Sequence, residues 1–293
     1  MSLNEHFQEY STLIEHHLEN LIHVSNMPYR QLFSAARYSV LGGGKRLRPI
    51  LVLATVQALG GSIQHALSAA SAVELVHTYS LIHDDLPCMD DDDFRRNKPS
   101  LHKAFSEAHA VLTGDYLLSY AFELLANDPH LQPEQKVKLV SLLAKGCGGN
   151  GMIGGQIMDI EAEGIAVDQA TLECIHHHKT GALITASIAM GATVANGSEA
   201  DMKALCSYGN DLGLAFQVMD DIIDVRSSLQ KHGKAVSSDV INNKTTYVTL
   251  FGREKAESIA HQLGDSAKNH LKSVQGDTAR LSELADLIIG RKS

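Results

Sequence analysis

The sequence contains no tryptophan, and aromatic residues make up only 5% of its 293 positions. Basic residues are also in short supply, because 25 Lys and Arg stand against 34 Asp and Glu and give a formal net charge of −9. Non-specific binding to nucleic acids or to anionic membranes requires an excess of Lys and Arg. The composition therefore predicts that neither is a partner and that any phosphate-binding site is local.

Cysteine is scarce as well, with four residues that form no C-x-x-C pair: Cys88, Cys147, Cys174 and Cys206. This spacing indicates neither a disulfide framework nor a zinc ribbon, so we expect reduced thiols in a cytoplasmic protein. The first twenty residues lack the basic-then-apolar order of a signal peptide, and we expect no export.

Long apolar segments are missing too. The longest candidate, residues 66–82, contains Glu74 and His77 and falls short of the ~20 apolar residues that span a bilayer. We predict a buried helix there and no membrane insertion.

Helical periodicity is present along nearly the whole chain, since apolar residues recur at three- and four-residue steps and strand-like alternation is scarce. No Pro/Ser-rich linker, repeat or low-complexity stretch interrupts it. The sequence predicts an all-α fold, a multi-helix bundle forming a single domain over residues 1–293. The predicted helices cover residues 4–24, 29–40, 49–58, 66–83, 103–125, 133–146, 152–163, 169–195, 200–226, 247–273 and 279–291.

The segment LIHDDLPCMDDDDFRRNKPS, residues 81–100, holds six carboxylates within ten positions: Asp84, Asp85, Asp90, Asp91, Asp92 and Asp93. Pro87 disfavours helical continuation, so the preceding helix should end near Asp84, with Asp90 folding back over the same point. A helix C-terminus disfavours anions, and this placement indicates a bound cation. A solvated acidic turn is the alternative.

A second acidic cluster lies in FQVMDDIIDV, residues 216–225. Spacings of three and four residues place four polar side chains on one stripe of a helix: Gln217, Asp220, Asp221 and Asp224. Carboxylate oxygens without cysteine partners favour Mg²⁺, Mn²⁺ or Ca²⁺ over zinc, although a solvated acidic face is the alternative. A Ca²⁺ helix-loop-helix fails on spacing, because Arg95 occupies the position of its required glycine.

Basic residues complete the pattern. In LGGGKRLRPI, residues 41–50, three glycines precede Lys45, Arg46 and Arg48, and such a segment at a helix start can cradle an anion. It does not match the G-x-x-x-x-G-K-[ST] phosphate loop, which makes hydrolysis of nucleoside triphosphates improbable. Further cations, each of which could alternatively be a solvated surface charge, are Arg95, Arg96, Lys179, Lys234 and Lys244.

Histidines and nucleophiles offer weaker signals. His176, His177 and His178 point about 100° apart on a helix and cannot share one zinc ion. No Ser-His-Asp or Cys-His constellation with a recognisable elbow is present. His77 is either a core histidine or a donor to a bound phosphate.

Taken in order, the motifs resemble the trans-prenyltransferases, or polyprenyl synthases, and most closely the bacterial members that form farnesyl diphosphate. The matching segments are GGKRLRP, ELVHTYSLIHDD, DDLPCMDDDDFRR, GD at 114–115, GGQ at 154–156, KTG at 179–181, FQVMDDIID and KTTY at 244–247. The resemblance implies an all-α bundle around a central cavity, in a homodimer, with the two aspartate motifs facing each other across the cavity mouth.

The resemblance also implies the role of each site residue. Three Mg²⁺ ions, with Mn²⁺ as a substitute, would be held on an allylic diphosphate by Asp84, Asp90 and Asp220, supported by Asp85, Asp221 and Asp224. The allylic group would be contacted by Arg95, Lys179, Thr180, Gln217 and Lys234, with Lys244 as a further substrate-binding residue. Isopentenyl diphosphate would be held by Gly44, Lys45, Arg48, His77 and Arg96.

The implied reaction is ionisation of dimethylallyl or geranyl diphosphate, condensation with isopentenyl diphosphate and loss of a proton, giving farnesyl diphosphate. Tyr79 and Ser80, just before the first aspartate motif, would limit chain length, although Tyr79 could equally be an ordinary core residue. A geranylgeranyl or longer-chain synthase is the nearest alternative. A terpene cyclase and a non-catalytic regulatory subunit match the motifs less well. The chain departs from the family pattern at Asn97, Ser237 and Val248, of which Asn97 should tolerate left-handed backbone.

Overall fold

The computed structural model describes the backbone of residues 3–24, 26–232 and 244–291, and the side chains of residues 6–24, 26–225 and 244–291. The described residues are almost entirely helical, as the periodicity predicts. Their contacts form two compact units, Met1–Leu53 with Ser62–Val140, and Ala54–Gly61 with Ser141–Ser293. The single domain over residues 1–293 stays a prediction.

The first unit is built around helix α4 (Leu67–Asp84), which is buried almost throughout. Its small residues Ala69, Ala70 and Ala72 are fully buried and let the neighbouring helix α6 (Glu107–Asn127) approach closely. The helix ends at Asp84, where Pro87 predicts its end. The helices that contain residues of this unit are α1 (Leu3–Leu21), α2 (Arg30–Val40), α3 (Leu47–Ala58), α4 (Leu67–Asp84), α5 (Leu101–Ala104), α6 (Glu107–Asn127) and α7 (Pro133–Cys147), with a 3₁₀ turn at Ile63–Ala66.

A small hairpin follows the first aspartate cluster and was not expected from the helical pattern. Strands β1 (Phe94–Arg95) and β2 (Lys98–Pro99) pair antiparallel, with Arg95 opposite Lys98. Arg96 and Asn97 form the turn with φ angles of 53° and 60°, the left-handed pair that a tight hairpin requires. Asn97 thus adopts the backbone expected of it.

Two predicted helices are interrupted by local chain chemistry. Residues 103–125 do not form one helix, because Ser106 adopts extended backbone and its side chain accepts a hydrogen bond from the His109 amide at 3.2 Å, starting a new helix. Residues 247–273 are divided by Gly252, whose φ of 77° ends the first segment.

The second unit packs the long helix α11 (Glu199–His232) against helices α10 (Ala182–Val194) and α13 (Arg253–Leu271). Gly213 of α11 lies against Gly181, and a Cβ atom there would stand 2.7 Å from the Gly181 Cα, so glycine is what allows this approach. The helices of this unit beyond α7 are α8 (Met152–Glu161), α9 (Gln169–His176), α10 (Ala182–Val194), α11 (Glu199–His232), α12 (Tyr247–Phe251), α13 (Arg253–Leu271) and α14 (Ala279–Ile289), with a π-helical turn at His177–Gly181.

Among the described helices, none is both long enough and apolar enough to cross a bilayer.

Candidate functional site

The glycine-rich segment of the first unit is shaped by Arg96. The Arg96 guanidinium donates a short hydrogen bond to the Gly43 carbonyl, and a Cβ atom at Gly44 would lie 2.6 Å from the Arg96 Cζ. Gly43 and Gly44 have φ angles of 88° and 131°, which side chains rarely adopt. The structure thus brings together Gly44 and Arg96, two of the predicted isopentenyl diphosphate contacts.

Arg46 does not belong to the anion cradle that the sequence suggested. It is only 2% exposed and donates to the Glu74 carboxylate at 2.5 Å and to the Val40 carbonyl at 2.6 Å. Glu74 is 1% exposed and also lies 4.0 Å from Arg96. Arg46 and Glu74 therefore hold the segment in place from inside.

His77 joins this group as a neutral imidazole. Its Nε2 lies 3.4 Å from a guanidinium nitrogen of Arg48. Burial, and then the positive charges of Arg48 and Arg96, lower the pKa of His77 well below its ordinary value. A neutral ring can donate a hydrogen bond to phosphate without adding charge.

The first aspartate cluster closes on itself at the end of α4. The Asp90 amide donates to the Asp84 carbonyl at 2.9 Å, so the loop folds back as predicted and brings Asp84 and Asp90 to the same turn. Asp85 points inward, is 2% exposed, and accepts from Arg95 Nε at 2.8 Å. Burial raises the pKa of Asp85, and the charge of Arg95 limits the rise.

Arg95 is committed to two carboxylates of this cluster. Besides Asp85 it contacts Asp92, whose Oδ2 lies 2.8 Å from the guanidinium. Arg95 therefore neutralises part of the acidic turn and remains about one-third exposed.

The donor chemistry of the aspartate clusters fits Mg²⁺. Within the described part of the chain, no group of three or more His, Cys, Asp or Glu side chains is arranged to hold a metal by itself. Mg²⁺ commonly takes one or two carboxylates and completes its shell with phosphate oxygens and water. Carboxylates such as Asp84 and Asp90 suit that shared mode of binding.

The second aspartate cluster lies on α11 and its members differ in exposure. Asp221 is 7% exposed and accepts a hydrogen bond from the Tyr247 amide at 2.8 Å, which anchors the start of α12. Asp220 is partly exposed and Asp224 is exposed. Asp221 thus has a structural task, whereas Asp220 and Asp224 face outward enough to meet a ligand.

Thr180 and Gln217, both predicted contacts of an allylic diphosphate, are brought together in the second unit. The Thr180 hydroxyl donates to Gln217 Oε1 at 2.8 Å. Thr180 belongs to the π-helical turn at His177–Gly181, a wide turn of a kind common at functional sites. The sequence pattern predicted one continuous helix over 169–195 and missed this turn.

Asp159 is a site residue that sequence reasoning missed. Its Oδ2 accepts from Lys179 Nζ at 2.6 Å and from Lys244 Nζ at 3.1 Å. Lys244 also lies 3.0 Å from Glu163. Burial alone would raise the pKa of Asp159, but the two lysines hold it below its ordinary value. Its position three residues after Gln156 of the GGQ motif was the available signal.

Gly155 explains why the GGQ motif lies beside the π-helical turn. A Cβ atom at Gly155 would collide with the backbone nitrogen of Lys179, so α8 reaches that turn only because this residue is glycine. The close approach places Asp159 on α8 within reach of the lysine that the turn carries.

Arg291, after the last helix, is a second residue that sequence reasoning missed. Its guanidinium lies 3.1 Å from Asp220 and 4.0 Å above the Phe216 ring, and it is only 10% exposed. It also donates to the Phe216 and Ile288 carbonyls. Nothing in the sequence pattern distinguished it from a surface charge.

The predicted chain-length residues, Tyr79 and Ser80, lie near the C-terminal end of α4. Tyr79 is 5% exposed and meets the edge of His83 at 5.7 Å between ring centroids. A side chain at Gly114 of α6 would collide with His83, so this glycine provides the space for the ring. The Ser80 hydroxyl is turned back to the His77 carbonyl at 2.9 Å.

The predicted contact Lys234 and the family departure at Ser237 lie outside the described residues. Val248, the third departure from the family pattern, lies within α12.

Comparison with known proteins gives concordant matches. A family model described as polyprenyl synthetase matches residues 29–284. A farnesyl diphosphate synthase from Geobacillus stearothermophilus is 42% identical over 292 residues, which is 99% of this chain and 96% of that protein. A chloroplastic geranylgeranyl pyrophosphate synthase from Capsicum annuum is 46% identical over 263 residues, 89% of this chain and 71% of that protein. The crystal structure of an FPP/GFPP synthase from Zymomonas mobilis has a TM-score of 0.89 at 38% identity and covers 98% of both chains.

Proposed function

This chain belongs to the polyprenyl synthetase family, and from that membership we propose that it joins isopentenyl diphosphate to dimethylallyl or geranyl diphosphate, releasing farnesyl diphosphate and diphosphate. The protein is a prenyltransferase. The observation that carries this conclusion is the near full-length match to farnesyl diphosphate synthase, in a chain where both aspartate clusters and their neighbouring cations are intact.

Isopentenyl diphosphate would bind at the glycine-rich segment. Lys45, Arg48 and Arg96 supply positive charge, and neutral His77 supplies a hydrogen bond. Because buried Arg46 bonds both to Glu74 and to the Val40 carbonyl, it would hold the segment in shape without a ligand. The cations are then organised before the substrate arrives, which lowers the cost of binding.

The allylic diphosphate would be held by Asp84, Asp90 and Asp220 through three Mg²⁺ ions, or Mn²⁺ in their place, with Asp85, Asp221 and Asp224 in support. Bound Mg²⁺ would neutralise the leaving group as the allylic C–O bond breaks. Lys179, Thr180 and Gln217 would contact the same diphosphate, together with Arg95, Lys234 and Lys244.

Formation of the new C–C bond and loss of the proton require little further contribution from side chains. The double bond of isopentenyl diphosphate attacks the allylic cation, and the departing diphosphate accepts the proton that is then lost. No protein base is required, so the absence of a recognisable triad in the sequence fits. Apolar walls that exclude water would protect the cation from hydrolysis.

Product length would be set by Tyr79, whose buried ring is fixed against His83. A bulky ring at this depth favours a C15 product. A geranylgeranyl product is the second candidate, because the Capsicum annuum protein, which shares 46% identity, is a geranylgeranyl pyrophosphate synthase.

We further propose a cytoplasmic homodimer. Helix α6 exposes Val111 by 41% and Leu112 by 61%, and a second copy of the chain would cover such an apolar face. Light scattering should give twice the chain mass of 31.7 kDa, and Leu112→Glu should shift it toward the monomer.

One assay tests the proposed reaction. The protein is incubated with Mg²⁺, isopentenyl diphosphate and either dimethylallyl or geranyl diphosphate, and the product is identified by mass spectrometry. We expect a C15 diphosphate. A C20 product would select the second candidate, and no product would favour a non-catalytic regulatory subunit. Asp84→Ala and Asp220→Ala should each abolish most turnover, because each removes transition-state stabilisation.

A further inference from the structure

Asp159 links the two lysines of the second unit through a single oxygen atom. Lys179 Nζ and Lys244 Nζ both donate to Oδ2, at 2.6 Å and 3.1 Å. The three side chains are 18%, 32% and 20% exposed for Asp159, Lys179 and Lys244. Two ammonium groups so close to one point repel each other unless an anion lies between them.

The carboxylate belongs to a helix whose position is fixed by backbone packing and not by the lysines. It stands on α8, whose contact with the turn at His177–Gly181 depends on Gly155. The lysines come from separate places in the chain, one from that turn and one from the residues before α12. Lysine side chains lose conformational entropy when they are ordered. Because Asp159 orders both lysines in the free protein, substrate binding does not have to supply that free energy.

We propose that Asp159 is a positioning residue for the prenyl transfer, an inference that rests on the proposed function. It holds Lys179 and Lys244 where negative charge develops on the leaving diphosphate. As an anion, it also weakens the attraction of the bare lysines for diphosphate in the ground state. Asp159 therefore lowers the free energy of the transition state without strengthening the binding of the substrate.

This role makes a specific kinetic prediction. Asp159→Asn keeps the size of the side chain but releases the lysines and removes a negative charge. The single-turnover rate should fall about 10- to 100-fold, the scale expected when catalytic groups lose their alignment. The dissociation constant for an unreactive allylic thiodiphosphate, measured calorimetrically with Mg²⁺, should stay equal or decrease.

Two further variants separate positioning from general damage. Asp159→Glu keeps the charge and should recover part of the rate. Glu163→Gln removes a carboxylate that is 42% exposed and, among the described residues, pairs with Lys244 at 3.0 Å, so its rate should stay within about threefold of the wild type. If Asp159→Asn does not fold, Asp159→Glu serves alone and should show a slower rate with unweakened analogue binding.

The proposal is overturned if Asp159→Asn reacts as fast as the wild type, or if its analogue affinity drops in proportion to its rate. Equal losses in Asp159→Asn and Glu163→Gln would also overturn it. A wild-type protein that neither binds the analogue nor forms product would instead refute the proposed function.

Discussion

The guanidinium of Arg291 lies 3.1 Å from the carboxylate of Asp220 and rests on the ring of Phe216. An arginine from the end of the chain thus neutralises the carboxylate that we assign to Mg²⁺. Arginine and metal would compete for the same negative charge, because both are cations and the carboxylate carries one charge.

Replacing Arg291 by Gln should therefore make metal binding easier. In the presence of inorganic diphosphate, the Mg²⁺ concentration at half-maximal thermal stabilisation should fall about two- to fivefold, the range of a partly exposed ion pair. The control is Arg253→Gln, which breaks an exposed pair with Glu257. A midpoint that rises in Arg291→Gln would mean that the arginine assists the metal.

The buried pair of Arg46 and Glu74 should dominate the stability of the glycine-rich segment. Glu74→Gln removes the buried carboxylate that bonds to Arg46 and leaves the half-exposed Glu15, 3.7 Å away, as its remaining described acidic neighbour. Breaking a buried pair in this way costs about 3–5 kcal/mol. Urea unfolding measures the change. Glu19→Gln, which breaks the exposed pair with Arg37, should cost less than about 1 kcal/mol. Similar losses for the two variants would contradict this account.

His176 should make the protein sensitive to mild acid. Burial lowers the pKa of His176 to about 4, against 6.5 for a free histidine. Between these values the unfolded chain takes up a proton that the folded chain does not, so stability is complete above pH 6.5 and declines as the pH falls toward 4.

The loss assignable to this residue is about 3 kcal/mol at the acidic limit. Unfolding free energies at pH 7 and pH 4.5 should differ less in His176→Gln than in the wild type. The exposed His261→Gln provides the comparison and should keep the wild-type difference. An unaltered difference in His176→Gln would show that other groups cause the sensitivity.

Chain length should respond to Tyr79. Tyr79→Ala removes a buried ring that stands against His83, and we expect products longer than C15 by mass spectrometry. Tyr38→Ala, which removes an aromatic ring from α2, serves as the matched change and should leave product length as it is. Unchanged products in Tyr79→Ala would place the floor of the cavity elsewhere.

Local chemistry predicted a large part of the first unit. Pro87 indicated where α4 ends, and apolar residues around Glu74 indicated that this helix is buried; both agree with the structure. The hairpin at residues 94–99 was not predicted, because strands of two residues leave no alternation to read. Asn97 gave the single hint, through its tolerance of left-handed backbone.

Side-chain partners were much harder to anticipate. Arg46 and Lys45 are adjacent and chemically alike, yet Arg46 turns inward to a carboxylate 28 positions away. Asp159 and Arg291 lie outside the two aspartate motifs and the glycine-rich basic segment, and only the folding of separate helices gives them partners. Spacing along a helix reveals which residues share a face, whereas contacts between distant segments require the tertiary structure.

Between Gln169 and Val194 the chain is α-helical except at His177–Gly181, where one π-helical turn is wider than its neighbours. Deleting one residue there would turn the π-helical turn into ordinary α-helical winding, and the bulge that carries Lys179 and Thr180 would be lost. Lys179 and Thr180 could then no longer reach Asp159 and Gln217 together. The length of this turn is therefore as much a requirement of the proposed site as the identity of Lys179 and Thr180.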